Sequence, residues 1–258
     1  MSESFKRELR VKSIALRVLQ SVGLLKTARR GKRAVYESLH ARGWVGWTSL
    51  VPEQQFTISC DLAIRTLATA GYQFGCYLEF GVSRGTSMAC VYHALRRAGL
   101  SDVKLIGFDS FEGMPPESAG QGWKPGRYAS TIGATRRYLK KAGVDVNQVH
   151  LVKGWFRDTL SPEAATRLNI DKASLIMVDC DIYTASKEAL WFSEPLIKDK
   201  AVIIFDDWGW RSDQGEIGQQ DAYTEFLEAF PQFITESLPA YIPQARMFLV
   251  TRYADARL

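Results

Sequence analysis

Two short stretches place carboxylates where a buried strand should end. In SLIMVDCDIY, residues 174–183, Asp179 and Asp181 follow an apolar run; in AVIIFDDW, residues 201–208, Asp206 and Asp207 follow another. Residues two apart in a strand point the same way, so Asp179 and Asp181 are expected to face one pocket, with Asp206 and Asp207 ending the neighbouring strand. Carboxylates gathered in a crevice repel one another and lose hydration unless a cation neutralises them. An all-oxygen set suits a hard divalent cation, Mg2+ before Zn2+. The three histidines, His40, His93 and His150, lie away from these strand ends, which argues against a zinc hydrolase. Each acid could instead cap a following helix, but four of them on two buried strands favour a cluster.

Other segments that follow apolar runs carry groups of the same kind. EFGVSRGTS, residues 79–87, has Gly81 and Gly85 for close backbone approach, and Thr86 and Ser87 where a helix would start with free N–H groups. It is not G-x-G-x-x-G, and an ordinary strand-to-helix turn would read alike. In GFDSFEGMPP, residues 107–116, Asp109 ends a second strand, where a carboxylate can accept from both hydroxyls of a ribose or simply cap a helix. KGWFRDTL, residues 153–160, offers Trp155 and Phe156 to flank a flat base and Asp158 to accept from an exocyclic amine; core aromatics beside a helix cap are the alternative. Between them MPPESAGQGWKPGRY, residues 114–128, is too irregular for a regular element and long enough to be a lid.

The elements that must hold these groups alternate. Strands are expected at 76–82, 104–110, 149–154, 173–181 and 201–207. Helices are expected at 86–100, 130–142, 184–198 and 221–230, with another near 56–71. Strands alternating with helices imply right-handed crossovers and a mostly parallel sheet covered on both faces. FITESLPAYI and ARMFLVTRY read as an antiparallel hairpin that closes it. The fold class is therefore α/β: a doubly wound, mostly parallel seven-stranded sheet with a C-terminal antiparallel hairpin and an N-terminal helical extension. In such sheets ligands bind beyond the carboxyl ends of the strands.

Composition bounds the rest. With 258 residues, 46% apolar and 24% charged, the chain has ample material for a buried core. No apolar run is long enough for a membrane span, and the charged N-terminus is a poor secretory signal. Cys60, Cys76, Cys90 and Cys180 show no C-x-x-C spacing and read as free thiols of a cytoplasmic protein. Residues 1–42 hold eleven Lys/Arg against three Glu, a net of +8, within a helical reading of 4–40. A solvated basic helix face accounts for this better than nucleic acid, because stacking aromatics are missing there. The domain reading is a basic helical extension over 1–55 and a catalytic domain over 56–258.

EFGVSRGTS, GFDSFEGMPP, KGWFRDTL, VDCDIY and FDDW occur in the order and spacing of the macrocin O-methyltransferase-like family, and residues 75–230 resemble it. Its members are class I S-adenosylmethionine-dependent enzymes that methylate sugar hydroxyls on macrolide and aminocoumarin antibiotics. The resemblance implies a Rossmann-like methyltransferase fold and an S-adenosylmethionine loop at Glu79, Gly81, Ser83 and Gly85, extending to Thr86 and Ser87. It implies a ribose acid at Asp109 with Ser110 and Phe111 beside the adenosine, and an adenine end at Trp155 and Asp158. Asp179, Asp206 and Asp207 match metal-binding acids, Asp179 also bordering the cofactor; Asp181 matches the acid proposed as general base. The partners implied are S-adenosylmethionine, Mg2+, a small-molecule hydroxyl acceptor on a glycosylated natural product, and a second copy of the chain. The chain departs from the family pattern in WGWRSDQGEIGQQ, residues 208–220, which leaves the acceptor open, with Trp123, Trp208 and Trp210 able to face either a sugar or a catechol-like ring. A nicotinamide-dependent oxidoreductase would share the architecture but lacks its glycine motif here, and a nucleic-acid-binding module would rest on residues 1–42 alone.

Overall fold

A computed structural model of the chain describes residues 31, 35–36, 38–44, 47–69, 71–210 and 218–253. Most of the basic extension, including the apolar stripe from Ile14 to Leu25, lies outside the described residues, as do residues 211–217 of the Trp/Gly-rich stretch. The chain divides into two compact units, Met1–Trp47 and Thr48–Leu258. In the first, residues 38–41 are helical. The expected division at 55/56 falls inside the first helix of the second unit.

That unit runs α1 (Glu53–Leu67), β1 (Cys76–Phe80), α2 (Thr86–Arg97), β2 (Leu105–Asp109), α3 (Ile132–Lys141), β3 (Val149–Lys153), α4 (Phe156–Thr159), α5 (Pro162–Arg167), β4 (Ala173–Val178), α6 (Tyr183–Ser193), β5 (Lys200–Phe205), α7 (Gln219–Ala229), β6 (Phe233–Leu238) and β7 (Arg246–Arg252). The seven strands form one sheet in the order β3-β2-β1-β4-β5-β7-β6. The first five strands are parallel, and β7 pairs antiparallel with both β5 and β6. The chain winds outward from β1 to β3, then returns to place β4 on the other side of β1. This reversal opens a crevice at the carboxyl ends of β1 and β4.

Strand alternation divides the core in two. Tyr77, Leu105, Leu175, Met177, Val202 and Ile204 pack on one face with α1, α2 and α3. Leu78, Phe80, Ile106, Phe108, Ile176, Val178, Ile203 and Phe205 pack on the other with α6 and α7. Both faces being covered explains why β1 and β4 are buried at every residue and are mostly apolar, Glu79 of β1 being the exception that carries charge. Each large side chain so buried contributes roughly 1.5–3 kcal/mol.

The observed strands are shorter at their ends than expected. β4 stops at Val178 and β5 at Phe205, so all four acids lie just beyond the strands. Among the described residues no helix is long and apolar enough to cross a membrane, and all four cysteines are free.

Phe80, the last residue of β1, stacks on Phe108 at 5.5 Å and meets Phe156 and Phe192 edge-on. Phe80→Ala should lower stability by about 3–5 kcal/mol in urea unfolding; a loss below about 1 kcal/mol would show that this ring is not a floor of the core.

Candidate active site

The site starts from one crowded seam. Gly81, immediately after β1, has φ 96°, and a Cβ there would lie 1.7 Å from the Asp179 carbonyl oxygen. The Gly81 N–H donates to Phe108 O and the Asp179 N–H to Phe80 O, both at 2.9 Å. The exits of β1, β2 and β4 are thereby locked side by side.

From this seam the 81–85 loop turns outward through Ser83, which holds φ 43°. Its N–H donates to Asp109 Oδ2 at 2.7 Å and its hydroxyl to Tyr128 O at 2.8 Å. Its carbonyl accepts from Ser130 Oγ at 2.5 Å and Thr135 Oγ1 at 2.6 Å. A non-glycine residue in this conformation is strained and needs such surroundings to persist. The other oxygen of Asp109 accepts from the Phe111 N–H at 2.5 Å. One carboxylate thus holds two loops in place. Burial raises the Asp109 pKa, and the backbone donors oppose that rise.

A cavity of about 380 Å³ lies over these exits. Of the residues expected to bind a cofactor, Gly81, Ser83, Asp109, Ser110, Trp155 and Asp179 line it. Glu79, Gly85, Thr86, Ser87, Phe111 and Asp158 do not. Glu79 is fully buried beneath the loop, accepting from Tyr77 Oη at 2.7 Å and Ser87 Oγ at 2.5 Å. Thr86 Oγ1 accepts from the Leu50 N–H at 3.3 Å. Gly85, with φ 79°, starts α2, and Phe111 is buried with φ 56°. Asp158 is exposed in the first turn of α4. Its neighbour Arg157 lines the cavity instead, with Glu188 of α6.

All four strand-end acids line the same cavity, though not by strand alternation. Asp181 stands in a left-handed turn with φ 63°, closed by Ile182 N–H donating to Cys180 O at 2.6 Å. That turn, rather than a pleat, brings Asp181 back towards the wall that carries Asp179. Across from it, Asp207 N–H donates to Gln219 Oε1 at 3.1 Å, and Gln219 Nε2 donates to Val178 O at 3.1 Å. The fully buried Gln219 so ties the β5 exit to the end of β4.

Asp179, Asp206 and Asp207 each offer a carboxylate oxygen, and the three oxygens lie within 4.8 Å of one another. Asp207 Oδ2 is buried with no hydrogen-bond partner. Burial, then the neighbouring carboxylates, hold Asp179 and Asp207 well above the usual carboxylate range. Burial likewise raises Asp206, against a hydrogen bond from Tyr241. Asp181 is pushed up to about 7, by burial first and Asp206 second, with Arg127 opposing. Three converging carboxylate oxygens, with an unpartnered oxygen on Asp207, form a place for a hard cation.

The 114–128 stretch has more structure than its composition suggests. Residues Pro116–Gln121 form a 3-10 helix, and Met114 and Arg127 pair as a narrow neck: Met114 N–H donates to Arg127 O, and Gly126 N–H to Met114 O. Gly113 permits this, since a Cβ there would lie 2.4 Å from Arg127 O. Met114, Glu117 and Tyr128 of this segment line the cavity. Trp123 is buried against Trp210, ring centroids 4.7 Å apart, with Arg127 over its ring. Trp208 instead packs into the core against Phe205, Tyr223 and Phe248.

Sequence reasoning passed over Leu50, Tyr128, Arg157 and Glu188 as cavity residues. Arg157 stands next to a residue that was singled out, and Glu188 lies one helical turn after Thr184, another lining residue. Leu50 carries no local signal; it arrives through the Leu50–Thr86 bond and the Arg84 guanidinium donating to Thr48 O at 2.7 Å.

Comparison with known proteins agrees with the fold. The family model of macrocin-O-methyltransferase (TylF) matches residues 61–225, more than half of the chain. A curated relative, the 8-demethyl-8-(2,3-dimethoxy-alpha-L-rhamnosyl)-tetracenomycin-C 4'-O-methyltransferase of Streptomyces olivaceus, is 29% identical over 143 residues, 52% of this chain. The chain spans about half the length of that relative (53%). Among solved structures, the O-methyltransferase NovP is similar with TM-score 0.63 at 20% identity, covering 84% of this chain and 88% of its own. CalS11, a calicheamicin methyltransferase, is similar with TM-score 0.59 at 22% identity, covering 78% and 80%. At these identities the two structures share the fold.

Glu79 gives the site a pH signature. Burial lifts its pKa from 4.5 to about 7, against the two hydroxyl donors. An acid with a higher pKa in the folded state binds more protons folded than unfolded between the two values. Its contribution to stability is therefore lost as pH rises through that window, from about 4.5 to about 7. Glu79→Gln should flatten the fall of Tm between pH 5 and 8 in chelator-treated protein and raise Tm at pH 8. An unchanged slope by near-UV circular dichroism would rule the residue out as its source.

Proposed function

Since the chain belongs to the macrocin-O-methyltransferase family, we propose that it moves a methyl group from S-adenosylmethionine to a hydroxyl of a sugar on a glycosylated natural product, with a divalent cation, Mg2+ by chemistry, in the carboxylate cluster. One observation carries this reading: a single cavity joins the cofactor-type exits of β1, β2 and β3 to a triad of carboxylate oxygens within 4.8 Å of one another.

Within this reading the residues divide the work. Asp109 accepts from the ribose hydroxyls, with Ser110 beside it, and Trp155 flanks the adenine. Gly81 and Ser83 give the cofactor close access to backbone at the end of β1. Asp179, Asp206 and Asp207 hold the cation; the unpartnered Asp207 Oδ2 and the all-oxygen donor set fit such an ion. When bound, the cation lowers the pKa of a coordinated sugar hydroxyl and orients it, and S-adenosylmethionine supplies an electrophilic methyl group. Asp181 lines the same cavity but stands outside the triad of oxygens, and takes the proton that the hydroxyl gives up. Alignment of that oxygen with the methyl carbon supplies much of the rate. Glu79, Thr86 and Ser87 support the loop from beneath. The lid of residues 114–128 shuts water from the cavity. The basic N-terminal extension belongs to this reading as a segment for contacts between copies, and the four free thiols suit the cytoplasm.

Calorimetric titration should show S-adenosylhomocysteine binding and no NADH binding, with Asp109→Asn weakening the former at least about tenfold. Asp206→Asn should leave S-adenosylhomocysteine affinity within about twofold while abolishing cation-dependent methyl transfer to rhamnosylated polyketides. Asp181→Asn should lower kcat by about 10²–10⁴-fold. NADH binding in place of S-adenosylhomocysteine would refute the methyltransferase reading; full turnover in excess chelator would refute the cation.

A further inference from the structure

We infer that Tyr241 is a positioning residue for the cation: its phenol fixes Asp206 so that one carboxylate oxygen is turned into the triad with Asp179 and Asp207. The inference rests on the cation reading above and extends it to a residue 34 positions beyond the last acid, on the antiparallel return of the sheet.

The fold delivers Tyr241 there by two independent constraints. The first is the hairpin. β7 pairs with β5 in a register that sets Arg246 opposite Phe205, so the β6–β7 loop, residues 239–245, meets the β5 exit directly. Gly209 N–H donates to Gln244 O at 2.9 Å across this junction, and Ala245 N–H closes the loop on Ile242 O at 3.1 Å. The second constraint is α1. Phe56, fully buried, meets the Tyr241 ring edge-on with centroids 4.8 Å apart. A ring pinned by a helix on one side and by a stitched loop on the other has one direction left for its hydroxyl, and it donates to Asp206 Oδ1.

That bond does two things a packing contact would not. It gives Asp206 Oδ1 a neutral donor and leaves Oδ2 as the more basic oxygen for a cation. It also fixes the carboxylate plane, which two rotatable bonds would otherwise leave loose. Asp207 on the next residue is held differently, through its backbone N–H on Gln219, so the two adjacent acids are oriented by separate devices. Partners that hold a ligand from behind in this way typically govern metal affinity by about 10–100-fold.

The test uses the full-length chain and Mn2+, followed by loss of the free-ion electron paramagnetic resonance signal. Tyr241→Phe keeps the ring and removes only the donor. It should weaken Mn2+ binding about 10–100-fold while leaving S-adenosylhomocysteine affinity unchanged and the chelator-treated protein folded, with a Tm lowered only by the loss of one buried hydrogen bond. In a double-mutant cycle, Tyr241→Phe added to Asp206→Asn should cost no further affinity, because the first acts only through the second. Equal Mn2+ affinity in wild type and Tyr241→Phe would overturn the inference and leave the cation reading standing; wild type with no saturable Mn2+ site would overturn both. Should Tyr241→Phe not fold, Phe56→Leu replaces it: it keeps the hydroxyl but loosens the ring. Weaker Mn2+ binding in that variant supports the inference, and unchanged binding overturns it.

Discussion

The whole site depends on one close approach, the Gly81 backbone lying against the carbonyl of Asp179 with no room for a side chain between them. Parallel strands do not end in register on their own. Here the exits of β1 and β4 are forced together because one residue has no Cβ and adopts a φ that other residues resist. Asp179 is thus fixed at the centre of the crevice, between the loop that follows β1 and the acids that follow β5. If the seam were wider, the loop after β1 would draw away from Asp179 and the acids beside it.

Around that seam the structure sustains an electrostatic arrangement it would not choose for stability. Six acids, Glu79, Asp109, Asp179, Asp181, Asp206 and Asp207, carry raised pKa values, each with burial as the leading cause. Buried carboxylates without full hydrogen bonding cost several kcal/mol each. The fold offsets this unevenly. Glu79 has two hydroxyl donors and Asp206 has Tyr241, but Asp207 Oδ2 has nothing. The strain is concentrated where a cation would relieve it, while β4 and β5 beneath the cluster carry no acid of their own. Local cost on a rigid support is the pattern expected of a binding centre.

Much of this was legible in the sequence, for identifiable reasons. β4 and β5 announced themselves because both faces of the sheet are covered, so their residues form apolar runs ending abruptly in charge, and β1 did so by its apolar residues and the glycine that follows it. The hairpin was legible from two apolar stretches after the last helix. The gathering of Asp179, Asp181, Asp206 and Asp207 was legible too, but its reason was not. Strand periodicity was credited for a pairing that a left-handed turn at Asp181 produces, and backbone φ of that kind leaves no mark on a non-glycine residue. Side-chain direction was also hidden. Glu79 follows the pleat into the core below the loop rather than up into the cavity, and Asp158 turns outward while Arg157 lines it. The contributions of Leu50, Gln219 and Tyr241 depend on tertiary contacts across 36, 41 and 35 residues, which no local pattern encodes.

The chemistry is therefore built at exits and not on strands, and this has a consequence for how the cavity is divided. Strand residues are committed to two apolar cores and have no freedom to vary in polarity. Exit residues of β1, β2 and β4 are committed as well: Asp109 accepts from the Ser83 and Phe111 N–H groups, Gly81 N–H donates to Phe108 O and Asp179 N–H to Phe80 O. The lid is held more lightly. Its neck is fixed by the Met114–Arg127 pair and by Ser83 holding Tyr128 O, and between those points single side chains tie it down: Gln121 Oε1 accepts from the Tyr183 N–H at 3.3 Å, Glu117 faces Arg157 at 3.9 Å, and Met114 and Trp123 pack on Ile182. A rigid cofactor-type floor under a segment held largely by side chains lets the face towards the acceptor differ without disturbing the acids below it. The stretch after Asp207, expected to depart from the family pattern, meets that same segment where Trp210 packs on Trp123.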